Sequence, residues 1–131
     1  IVLLTVLQNA LQLLLVQRKN DPYKGQWALP GGFVDENEPL AHAARRELQE
    51  ETGLSPYYLV QVHAFGKPGR DPRGHTISIA YAGLLPVGQS GRALAGDDAA
   101  STRWWPMSQL PPLAFDHDEI IHCVRTHVQR K

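Results

Sequence analysis

The chain begins with two apolar runs, residues 1–7 and 11–17, rich in Val, Ile and Leu and separated by the short stretch Gln8-Asn9-Ala10. Such runs around a short turn predict a β-hairpin. Residues 18–26 hold Asn20, Asp21, Pro22 and Gly25 and read as loop. Residues 27–29 fit a short strand ended by Pro30-Gly31-Gly32, where the two glycines let the backbone turn sharply and approach a ligand. From Pro39 to Glu51 the pattern becomes helical. Proline suits a first turn, and Thr52-Gly53 supplies the stop. Residues 57–65 and 75–85 are strand-like, the second alternating through Ile77, Ile79 and Tyr81, with a Gly-, Pro- and charge-rich exposed loop at 66–74 between them. Residues 86–98 form a Gly- and Ala-rich loop, 101–105 a short strand, and 116–129 a last helix with Ile120, Ile121, Val124 and Val128 on one side. This order predicts a mixed sheet with helices packed against it, an α/β (α+β) fold in one domain over residues 1–131.

Composition narrows the class without naming a function. At 131 residues, 43% apolar and 20% charged, the chain reads as an ordinary globular protein. Thirteen basic side chains balance thirteen acidic ones, so no global charge draws it to nucleic acid or to an anionic membrane. Any phosphorylated ligand must be held by local charge. The single cysteine, Cys123, excludes an internal disulfide and agrees with a reducing, cytoplasmic location. Residues 1–16 are apolar, but Gln8, Asn9 and Gln12 interrupt them and they fall short of the ~20 residues that a membrane span needs. Because the chain opens on Ile1 rather than Met, further residues are expected before it.

The chemistry concentrates in residues 32–54. At about 100° per residue, Leu40, Ala41, Ala44 and Leu48 fall in one stripe, predicted to pack on the sheet. Glu47, Glu50 and Glu51 share a sector that overlaps the edge of that stripe. Clustered carboxylates repel one another, resist desolvation and oppose the helix dipole in a last turn. A hard divalent cation relieves all three, and Mg²⁺, with Mn²⁺ as a substitute, takes oxygen ligands and shares its shell with substrate phosphates. Zn²⁺ fits less well, since no Cys or His stands at a ligand spacing in this helix. On the helix alone a solvated acidic face, with Arg46 and Glu50 paired at i, i+4, is the plainer reading. The Gly-rich turn before it favours a phosphate site, and helix and turn together leave the two readings even.

Gly32, five residues, Glu38, seven residues and then Arg46-Glu47-Leu48-Gln49-Glu50-Glu51-Thr52-Gly53-Leu54 resembles the box of the Nudix hydrolase family at every defined position: G-x5-E-x7-R-E-U-x-E-E-x-G-U, with U aliphatic. The resemblance implies an αβα sandwich with a catalytic loop–helix–loop. It also implies hydrolysis of a nucleoside diphosphate linked to another group, by attack of water on phosphorus. By carry-over Glu47, Glu50, Glu51 and the Gly32 carbonyl would ligate metal, Arg46 would orient a box glutamate, and Glu38 would brace the loop. Glu50, Asp97 and Asp98 are candidates for the general base. Where the family often has a Glu a few residues after such an acidic pair, this chain has Ser101 and Thr102.

Beyond the box, residues 26–35, 65–74 and 113–117, with Trp105-Pro106, are similar to ADP-ribose pyrophosphatases and to Nudix domains of NAD-metabolism proteins. Pro68, fifteen residues after Gly53, stands near the proline typical of ADP-ribose-type members. The implied reaction is ADP-ribose to AMP and ribose 5-phosphate. Alternatives are NADH, a diadenosine polyphosphate, an oxidised nucleotide, or an ADP-ribose sensor without hydrolysis, although sensors often lose box acids that are intact here. Expected substrate-binding residues are Phe33, Tyr81, Lys67, Arg70 and Arg73; the three cations share one loop, where an Arg70–Asp71 charge balance is the plain alternative. Trp104 and Trp105 are further stacking candidates, and His117-Asp118 reads as ordinary helix N-terminal chemistry. No nucleic-acid or membrane partner is expected, and a homodimer is in keeping with the resemblance.

Overall fold

The two opening apolar runs fold back on each other. In the computed structural model, which describes residues 1–56, 58–86 and 99–129, β1 (Val2–Leu7) pairs antiparallel with β2 (Ala10–Arg18) from Leu4↔Leu13 to Leu7↔Ala10. Gln8 and Asn9 turn the hairpin with φ of 52° and 61°. Positive φ at both positions suits the right-handed twist of the flanking strands.

β2 is the centre of the sheet. On one edge it pairs with β1 and then, at Val16 and Gln17, with the short β3 (Trp27–Ala28). Along its other edge runs β6 (Ala99–Pro106), in register from Gln12↔Pro106 to Arg18↔Ala99 with an irregularity at Gln17/Arg18. β5 (Ser78–Leu84) lies parallel to β1, and β4 (Val60–Phe65) lies antiparallel outside β5. The sheet is therefore mixed.

Strand alternation distributes the leucines of β1 and β2 to both faces. Val2, Leu13, Leu15 and Ala80 pack with Ile120, Ile121 and Val124 of α2 (His117–Gln129). Leu3 and Leu14 pack on the opposite face with Leu48 of α1 (Leu40–Thr52), Leu54 and Leu85. The result is helix, sheet, helix, as the order of elements predicts.

α1 ends as expected, with Gly53 at φ 77° donating its N–H to the Gln49 carbonyl at 2.8 Å. Pro39 lies one residue outside the helix, in extended conformation. The packing face differs from the predicted stripe. Leu40 and Ala41 are exposed, whereas Ala43, Leu48, Glu51 and Thr52 are buried. The two polar members are admitted because each is bonded: the Thr52 hydroxyl donates to the Leu48 carbonyl at 2.6 Å, and Glu51 accepts from the Gly31 N–H at 2.7 Å.

Leu14 is fully buried between β2 and α1, whereas Leu11, three residues earlier, is 43% exposed. Leu14→Ala is expected to cost about 2–5 kcal/mol, and Leu11→Ala no more than about 0.5 kcal/mol, read as shifts in the urea unfolding midpoint.

Candidate active site

The β1–β2 ladder stops at Leu4↔Leu13, but β2 continues to Val16 and Gln17, where β3 takes over as its neighbour. Past the end of β1 the sheet opens between β3 and β5. A cleft of about 320 Å³ occupies this opening, with Arg18, Phe33, Glu47, Glu51, Arg73 and Phe115 among its walls.

One end of the cleft is acidic. The turn 29–32 leads from β3 across the last turns of α1, and the Glu51 carboxylate, buried at 5% residue exposure, accepts the Gly31 N–H. Glu47 lies against Gly32 so closely that a Cβ on residue 32 would overlap its carboxyl group. Neither Gly31 nor Gly32 has a positive φ, so the glycine at 32 answers to space rather than to backbone conformation. Glu50 stands apart, its side chain 54% exposed.

Arg46 organises the loop between turn and helix. It donates to both Glu38 oxygens at 2.7 and 2.9 Å, to Glu47 at 2.7 Å, to Glu50 at 3.3 Å and to the Phe33 carbonyl at 3.1 Å. The Arg46 hydrogen bonds, followed by the Asp35 N–H, hold the Glu38 pKa down to about 2. Glu38 and Glu47 together raise that of Arg46.

Elsewhere, among aliphatic residues, the cleft carries cationic and aromatic side chains. Arg18 lies 4.9 Å from the Phe115 ring centroid, and Arg73 lies 5.4 Å from Phe115 and 5.5 Å from Phe33. Burial, followed by repulsion from Arg73, lowers the Arg18 pKa. Arg73 is paired with the buried Asp71 at 2.8 Å, and that bond holds the Asp71 pKa down to about 2. The predicted Arg70–Asp71 balance is thus replaced: Arg70 grips both oxygens of Asp116 at 2.9 and 2.7 Å and also donates to the Ser78 hydroxyl at 2.7 Å. Tyr81 lines the cleft but is 6% exposed, its hydroxyl donating to Gln61. Lys67 is exposed and lies outside the cleft walls. Trp105 packs edge-on to Trp27 at 5.2 Å, and Trp104 joins the α1 side of the core. Asp97 and Asp98 lie outside the described residues.

A family model for the NUDIX domain matches residues 1–123. The chain belongs to the Nudix family. Among its curated relatives, an ADP-ribose pyrophosphatase of Methanocaldococcus jannaschii is 45% identical over 116 residues, covering 88% of this chain and 67% of that protein. An ADPR-responsive transcriptional repressor, NtrR, of Acinetobacter baylyi is 38% identical over 118 residues, covering 87% of this chain and 46% of the repressor. The NUDIX domain of Shewanella oneidensis NrtR, solved with ADP ribose, superposes with a TM-score of 0.90 at 36% identity, covering 97% of this chain and 84% of that one. This Nudix chain thus spans about two thirds of the first relative and about half of the second.

Among the described residues of this Nudix domain, Arg18, Phe115 and His117 also line the cleft, a role that the sequence reading does not give them. Arg18 ends β2 and Phe115 sits at φ 54°, and no local pattern marks either as a wall of the same cleft. The third is His117, which does more than begin a helix: its Nδ1 accepts the Leu29 N–H at 3.0 Å. An amide N–H can only donate, so the ring is neutral with its proton on Nε2. Desolvation carries the His117 pKa from 6.5 down to about 3.

Between those two values the unfolded chain holds a proton at this position that the folded chain lacks, so acidification from pH 6.5 towards 3 favours unfolding. From pH 7 to 5 the wild type is expected to lose about 1–2 kcal/mol more stability than His117→Asn, measured as the difference between their urea midpoints at the two pH values.

Proposed function

We propose that the chain is a divalent-metal-dependent pyrophosphohydrolase, with residues 1–131 as its catalytic domain, that cleaves ADP-ribose to AMP and ribose 5-phosphate. The observation that carries this is the pairing within one cleft of Glu47 and Glu51 at the Gly31–Gly32 turn with Arg18, Arg73, Phe33 and Phe115. The 45% identity to an ADP-ribose pyrophosphatase supports the substrate.

The donor set suits a hard cation. Glu47 and the Gly32 backbone are in contact, Glu51 lies beside Gly31, and these ligands offer oxygen alone. Among the described residues no three acids already converge into a cluster, with Glu50 turned to solvent and Glu47 held by Arg46. Glu47, Glu51 and the Gly32 carbonyl would hold Mg²⁺ or Mn²⁺, with Glu50 as a further acid from the same helix. When bound there, the ion neutralises the diphosphate and lowers the pKa of water.

The chain's own residues supply the rest. Arg46 fixes the Glu47 carboxylate and, through Glu38 and the Phe33 carbonyl, the loop that leads into α1. Of the three candidate bases, Glu50 alone is among the described residues; it is half-exposed, 3.3 Å from Arg46 and outside the cleft walls. Arg18 and Arg73 offset phosphate charge, and Phe33, 65% exposed at the mouth, offers a face to adenine. Arg70 also lines the cleft, and its bonds to Asp116, Ser78 and Thr76 shape the loop that carries Arg73.

A second reading follows from the ADPR-responsive repressor: the cleft binds ADP-ribose without cutting it, within a longer protein that acts on DNA. Product analysis separates the two. With Mg²⁺, ADP-ribose is expected to yield AMP and ribose 5-phosphate, and faster than NADH, a diadenosine polyphosphate or oxidised dGTP. Binding with no products would favour the sensor, and products only from another nucleotide would overturn the substrate.

Glu51→Gln keeps an acceptor for the Gly31 N–H while removing the charge. Turnover is expected to fall at least about 100-fold with an unchanged far-UV spectrum; unchanged turnover would remove Glu51 from the metal site. Gly32→Ala is a sharper probe, because the atom it displaces is the end of a flexible glutamate. Its thermal midpoint is expected to stay within about 3 °C of the wild type, while turnover drops about as far as in Glu51→Gln.

A further inference from the structure

The backbone from Leu29 to Gly31 has two N–H groups to satisfy, since Pro30 has none. The Gly31 N–H goes to Glu51, on α1, and the Leu29 N–H goes to His117, on α2. These helices cover opposite faces of the sheet. We propose that His117 is a positioning residue: by accepting the Leu29 N–H it holds the Gly31–Gly32 turn in place from the α2 layer, independently of Glu51. The inference rests on the reading above, in which this turn presents Gly32 to a cation.

The independence has a physical basis. In the reading above Glu51 has to serve both the Gly31 N–H and a cation, so the α1 tether is part of the acidic site itself. The His117 tether shares no atom with those acids. Its own base is firmly anchored. The Ala114 N–H donates to the Trp27 carbonyl at 2.8 Å, Leu113 bridges to Trp27 in parallel, and Asp116 is held at two points by Arg70. The segment leading into α2 is thus tied to β3 and to the loop before β5 before His117 reaches back to Leu29. Phe115, with its ring centroid 5.4 Å away, shields the imidazole.

Asparagine carries Oδ1 the same number of bonds from Cα as the histidine Nδ1, so His117→Asn retains the acceptor, whereas His117→Ala removes it. Two measurements decide the matter. The first is amide hydrogen exchange at Leu29 and Gly31 in the metal-free protein, with Leu14 as a core reference. The second is kcat and KM for ADP-ribose. In His117→Ala, Leu29 is expected to exchange at least about 10-fold faster with Leu14 unchanged, and kcat to fall about 10- to 100-fold with KM within about threefold. His117→Asn is expected to restore both to within about threefold of the wild type. Leu29 protection that survives in His117→Ala would overturn the proposal. So would an asparagine variant that keeps Leu14 protected yet behaves like the alanine one. If alanine unfolds the chain, the asparagine variant alone decides, by matching or failing to match the wild type at Leu29. A wild type that leaves ADP-ribose intact would sink the substrate assignment, while the exchange comparison would still decide the tether.

Discussion

Burying a carboxylate in the last turn of a helix is unfavourable twice over, through desolvation and through the negative end of the helix dipole. Glu51 is in that position, and its bond from the Gly31 N–H is what the site is assembled around. It ties the C-terminal turn of α1 to the turn that follows β3, two segments that otherwise belong to different layers. Arg46 performs the matching task on the exposed side. Its planar fork can serve Glu38, Glu47 and a backbone carbonyl at once, which a lysine ammonium with one point of charge could not reproduce. Glu47 and Glu50, which would repel one another on a bare helix, are bridged by this one arginine, while Glu51 has a backbone donor of its own.

The frame beneath is set by β2, with neighbours on both edges and side chains buried on both faces. Because β1 stops short and β3 begins beyond it, the sheet parts where the strands are otherwise best packed. The cleft is therefore a gap in the ladder, with its acidic and cationic walls carried by the elements on either side. Arg70 and Asp116 illustrate the economy of this arrangement. An ion pair between a loop and the start of α2 fixes the loop so that Arg73, three residues on, reaches the cleft.

Much of the fold was legible because it was written locally. Two leucine- and valine-rich runs around Gln8-Asn9 announce the hairpin, and Gly53 announces the end of α1. The fixed spacing from Gly32 to Leu54 carries the family. Hydrophobic periodicity misplaces the packing face of α1 at Leu40 and Ala41, because it assigns no burial to Glu51, bonded to Gly31, or to Thr52, bonded back to Leu48. The same limit applies to the cationic loop. Arg70 and Arg73 look alike in sequence, and what separates their roles is Asp116, 46 residues further on. Arg18 and Phe115 meet only because β2 and the start of α2 converge, which no short window contains. His117 was visible as a residue but not as an acceptor, since its donor lies 88 positions earlier.

The pairing of β2 with β6 also bears on how the protein is born. Gln12 finds its neighbour only at Pro106, nearly the whole chain later, so the strand at the heart of the sheet leaves the ribosome long before its second edge can be closed. The opening hairpin can form within microseconds, yet it must then wait with a leucine-rich ribbon open along one side. Chaperone demand and aggregation should therefore be governed by the interval of synthesis before β6 emerges, more than by the equilibrium strength of the finished fold.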